Sequence, residues 1–125
     1  MKWKTELSEN GQIVKLKFYG LISTQELYSC SKEVIELANK HNVLSILVDA
    51  IKFKFESPKA DIFRMPAALY NEWGMNRLMK IAVIEPQDLS ATSIANFYEI
   101  ATTNLGWNAK VFPNIKAALK WLSEA

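Results

Sequence analysis

The segment Leu44-Ser45-Ile46-Leu47-Val48-Asp49 constrains this chain more than any other. It has the length of a strand and almost no apolar–polar alternation. A strand of that kind lies inside a sheet with both faces buried. It ends at a carboxylate, Asp49, where the chain leaves the sheet. The ends of buried strands are where ligand sites of α/β proteins usually form. Asp49 is therefore read as a loop-ordering or binding residue, with Ser57 as a second candidate further along the same loop.

The flanking sequence supplies the rest of a sheet. Residues 3–8 predict a short first strand. Over residues 12–19, Val14, Leu16 and Phe18 form an apolar face between Ile13, Lys15, Lys17 and Tyr19. Asn10-Gly11 between the two segments is a hairpin signal. Ser23-Thr24-Gln25-Glu26 has capping-box spacing and opens a helix over about 24–40. Leu27, Cys30, Val34, Ile35 and Ala38 form its apolar stripe. Residues 78–84 predict another strand, closed by Pro86. Asp88 caps a further helix carrying Ala91, Ile94, Phe97, Tyr98, Ala101 and Leu105 on one side, with Gly106 just past its end. Residues 109–112 read as a short strand. Asn114 then caps a last helix whose inner face is Ile115, Ala118, Leu119 and Leu122, flanked by Trp121.

The element order is β-β-α-β-α-β-α-β-α, an α/β domain spanning residues 1–125. Helices between strands imply right-handed crossovers and largely parallel pairing, with the opening hairpin antiparallel. A length of 125 residues and a 50% hydrophobic content suit one domain with a real core. The net charge of +2, with basic and acidic residues interleaved, points away from nucleic acid. No apolar run of signal-peptide or membrane-spanning length is present. The expected location is the cytoplasm, with peripheral membrane contact left open.

Catalytic material is sparse. Gly11, Gly20, Gly74 and Gly106 are too scattered for a phosphate loop. His41 and Cys30 are each the only residue of their kind, so neither a zinc site nor a hydrolase triad is supported. Cys30 lies on an apolar stripe and reads as a small packed hydrophobe. His41, at a helix end, reads as a surface or capping residue. The expectation is a protein that is not an enzyme and needs no cofactor or metal.

Residues 51–75 stand out. Ile51, Phe53 and Phe55 alternate with Lys52, Lys54 and Glu56, as an extended strand or a projecting loop edge would. Ser57-Pro58 breaks the pattern, and a second helix follows from Lys59 to about Tyr70, with Pro66 placed to kink or divide it. The bland reading is a helix covering the sheet. The sharper reading makes Phe53, Phe55, Phe63, Met65, Tyr70 and Trp73 contacts for a ligand or a membrane. Lysines nearby would serve anionic headgroups.

The whole pattern resembles the SpoIIAA-like proteins, a STAS/SEC14-like family related to the STAS domains of anti-sigma-factor antagonists. The resemblance rests on Gly20-Leu21-Ile22-Ser23, on Leu44 to Asp49, on Lys80-Ile81-Ala82-Val83-Ile84, and on Gly106 to Phe112 with the Ala117-Ala118-Leu119-Lys120-Trp121-Leu122 helix. It implies a mixed four- to five-stranded sheet with helices mainly packed on one side. It also implies a non-enzymatic domain that binds an apolar or lipid-like ligand or associates with a membrane. The alternative is a regulatory protein-interaction module, alone or as a homodimer. Antagonist members carry a phosphorylatable serine just after the central strand. Here Asp49 is followed by Ala50, Ile51 and Lys52, and the first serine is Ser57, so that serine is not at its expected place.

Overall fold

The computed structural model describes residues 2–124. Five strands form one sheet in the order β1 (Trp3–Leu7), β2 (Ile13–Phe18), β3 (Ser45–Asp49), β4 (Lys80–Ile84) and β5 (Asn108–Phe112). The first pair is antiparallel, and the three pairs from β2 to β5 are parallel. Gly11 permits the tight hairpin at its left-handed φ of 69°. The mixed sheet and the element order are those expected from the sequence.

Strand parity defines two layers. Val14, Ile46, Ile81 and Ala109 stand in register across the sheet. So do Leu16, Val48, Val83 and Val111. These residues meet helix α1 (Thr24–His41), a bent second crossover, and helix α4 (Leu89–Asn104). The second crossover consists of α2 (Lys59–Arg64), a π-helical turn (Met65–Leu69) and α3 (Tyr70–Glu72). Each crossover steps to the next strand in the same direction. Right-handedness then puts all three on one face. Helix α5 (Ile115–Ser123) follows the last strand and is free of that rule. It takes the opposite face, where Ala118 and Leu122 pack on Leu47, Ala82, Ile84 and Phe112.

The inner stripes of two helices differ from the expectation, and residues 51–56 take one of its two alternatives, the loop. Ile115 and Leu119 are exposed, not part of the inner face of α5. The helix covers β3 to β5, and the neighbouring β2 surface presents Lys15 and Lys17 beside Ile13, so that edge of α5 has little to bury against. Residues 51–56 form no strand. They keep the in–out alternation in a loop, with Phe53 and Phe55 buried and a single bridge joining Lys54 to Leu21. Leu105 also lies outside the α4 stripe, as the exposed C-cap before Gly106.

Candidate functional site

The second crossover does not lie flat on the sheet. Asp61 ties α2 to α1, accepting the Thr24 hydroxyl at 2.7 Å on its carboxylate and the Tyr28 hydroxyl at 2.7 Å on its backbone carbonyl. Its other main neighbour is α4. Pro66 has no N–H to give to the helix ladder. Past it the chain adopts the π register, and the Tyr70 N–H reaches the Met65 carbonyl five residues back. The Pro66 carbonyl accepts the indole N–H of Trp107 at 3.0 Å. Trp107 is buried beneath the Arg77 guanidinium, which stacks 3.7 Å from its ring centre. It also meets Tyr70 edge-on at 5.5 Å.

Between this crossover and the strands is a cavity of about 90 Å³. Ile46, Val48, Ile81 and Val83 of β3 and β4 form its floor. Leu27, Val34 and Ile35 of α1, Ile62 and Met65 of the crossover, and Ile94 and Ala95 of α4 form its walls. Three lining residues carry a polar side chain: Ser31, Tyr70 and Tyr98. The two tyrosine hydroxyls share a 2.5 Å hydrogen bond. Burial pushes the Tyr70 hydroxyl well above its ordinary pKa. Burial pushes the Tyr98 hydroxyl up to about 12, its hydrogen bond to Tyr70 working in the other direction. Both stay protonated through the neutral range. Thr102, fully buried, stands beside the Tyr98 hydroxyl, yet its Oγ1 makes no well-formed hydrogen bond.

The six apolar candidates separate into groups. Phe53, Met65 and Tyr70 line the cavity. Phe55 is buried beside it, stacked 5.9 Å from Phe53. Phe63 is 43% exposed on the outer side of α2. Trp73 is half-buried against Tyr28 and Tyr70, over a shallow cleft that also includes Thr24, Gln25 and Lys32. The structure does not gather residues 51–75 into one surface. Asp49 points to the α5 side of the sheet, and its Oδ1 accepts the Ile51 N–H at 3.2 Å. It borders a polar cleft with Lys4, Glu6, Lys15 and Lys17, away from the cavity. Ser57 lies just ahead of α2 and is not part of the cavity wall.

Ser31, Tyr98 and Thr102 were not legible as site residues. Tyr98 reads as one more member of an apolar stripe. The available signal was its hydroxyl, an unusual group on a face otherwise made of alanine, isoleucine and phenylalanine. Among the described residues, no group of three or more His, Cys, Asp or Glu is placed to hold a metal ion. None of the described helices is long and apolar enough to cross a membrane.

Fold and cavity together define an α/β domain with one open mixed sheet, helices mainly on one face and a void between the layers. The chain is similar to the solved structure of an uncharacterized protein from the DUF3478 family with a SpoIIAA-like fold, from Shewanella loihica PV-4. The two share 18% identity and superpose with a TM-score of 0.58 over 96% of this chain and 91% of that one. The chain has a SpoIIAA-like fold. No protein-family model matches the sequence, and no curated protein matches it.

Proposed function

We propose that this protein is a non-catalytic binding domain whose ligand is a small apolar molecule held between the sheet and the helices. The supporting observation is the cavity of about 90 Å³ at the centre of the main core. Protein interiors are close-packed, with few voids larger than a water. A void of this size costs roughly 2 kcal/mol at about 24 cal/mol per Å³. Larger side chains at a few lining positions would fill it, so its persistence beside the bent crossover is well explained by a ligand. A protein-interaction module has no need of an interior void. The volume is about that of three waters in the liquid, and smaller than engineered cavities that take benzene. It suits a compact ligand, or the end of an alkyl chain, and not a whole lipid.

Xenon is the direct probe, since it enters apolar cavities without a polar partner. Dissolved xenon is expected to shift the methyl resonances of Ile46, Val83 and Ile94, and to leave those of the exposed Leu78 and Leu89 unmoved. Shifts spread evenly over surface and core methyls, or none at all, would remove the cavity from consideration as a ligand site.

A further inference from the structure

We infer that the hydrogen-bonded pair Tyr70–Tyr98 is a polar anchor inside the cavity, and that it selects a small neutral ligand bearing a carbonyl oxygen. This rests on the reading of the cavity as a ligand site and specifies its chemistry. Tyr70 and Tyr98 bring two hydroxyl protons to the cavity wall, and the bond between them uses one. Buried hydroxyls without partners are costly, and native structures rarely leave them so. The pair therefore has one donor to spare. A carbonyl brings two lone pairs and no proton, which is the complement.

The charge state follows from the walls. Among the described residues, no Lys, Arg or His lines the cavity. A carboxylate entering it would lose its hydration with no cation to face, which is strongly unfavourable. The two hydroxyls are held protonated by their burial, so they act as donors at neutral pH. Donation passes along the pair, and a chain of hydrogen bonds strengthens each member. The Trp107 indole, locked to the Pro66 carbonyl and edge-on to Tyr70, holds the anchor's ring in place. The anchor binds and orients.

Acetone, isobutene and acetate have nearly the same shape and differ in the group offered to the tyrosines. Binding of each is read by methyl NMR titration of the wild-type protein and of the Tyr70→Phe/Tyr98→Phe variant, which removes both hydroxyls and keeps both rings. Acetone binding is expected to weaken about tenfold in the variant, at the upper end of a neutral hydrogen bond's worth. Isobutene is expected to bind both proteins equally, and acetate neither. Should the double variant not fold, Tyr98→Phe alone is read in the same way, with about a fivefold loss for acetone. Isobutene binding with acetone affinity unchanged by the substitutions would overturn the anchor and leave the cavity as a purely apolar site. Acetate binding as tightly as acetone would overturn the neutral selectivity. Failure of all three probes would overturn the cavity reading, and the anchor with it.

Discussion

Cys30 shows how far one residue's surroundings decide its chemistry. It sits on the inner stripe of α1, fully buried, with its thiol on the Leu27 carbonyl at 3.3 Å. Burial pushes its pKa from an ordinary 9.0 up to about 12. The thiolate is the reactive form, so a thiol reagent at pH 8 is expected to label the unfolded chain in urea and spare the folded one. The same burial makes stability pH-dependent. An acid with a raised folded pKa favours the folded state while it is neutral. Its contribution is complete below the unfolded pKa and is lost as pH rises toward the folded value. For Cys30 that window runs from 9.0 to about 12, and for Tyr98 from 10.0 to about 12. Urea midpoints are expected to hold level up to about pH 9 and then fall steadily. A midpoint that stays level to pH 11 would place both groups in water. Residue identity alone made Cys30 readable as a packed side chain. It did not reveal the unpaired hydroxyl of Thr102, because pairing depends on a neighbouring hydroxyl whose position is set by another turn of α4 and by the crossover.

Elements whose signals are local matched the sequence closely. The Ser23–Glu26 capping box is present in both directions, the Ser23 hydroxyl accepting from the Glu26 N–H and the Glu26 carboxylate accepting from the Ser23 N–H. Asp88 and Asn114 cap α4 and α5 as expected. Each cap is settled within four residues, so chain order is enough to find it. The bent crossover is different. Pro66 announces a break, but the turn it begins is also met by a hydrogen bond from Trp107, forty-one positions later. Trp107→Phe removes that bond, leaves the Pro66 carbonyl buried without its partner, and opens space at the back of Tyr70. It is expected to cost about 2–3 kcal/mol, read as a lower urea midpoint at an unchanged slope. A cost below about 0.5 kcal/mol would mean that Trp107 does not brace the π turn.

At the scale of the molecule, the sheet divides the chain into two unequal cores. Three right-handed crossovers load one face, and α5 alone serves the other. The larger core is the one with the void. Val48 of β3 forms part of the cavity floor and is only partly buried. Val48→Ile adds one methylene there and keeps the β-branched shape that a strand favours. It is expected to stabilise the fold by about 0.8 kcal/mol, the worth of a buried methylene, and to reduce or abolish the xenon response. A stabilised protein that still takes up xenon unchanged would show that the methylene packs elsewhere. A destabilised one would show that the cavity is too narrow at its floor.

The layers follow from chain order alone. The unalternating run at 44–48 demanded a buried strand, period-two and period-3.6 patterns assigned the elements around it, and the handedness of crossovers placed the helices. These are consequences of backbone geometry and of apolar groups leaving water, and both act along the chain. Tertiary structure decided what the apolar residues of 51–75 do. Phe53, Met65 and Tyr70 turn inward to a cavity, Phe63 turns out, and Asp49 faces the other side of the sheet. It also decided that Tyr98, twenty-eight residues downstream on another helix, completes the polar pair with Tyr70. Periodicity says which face of an element is apolar. It does not say how closely two apolar faces approach, and the cavity is the space left where the crossover at Pro66 stands away from the sheet.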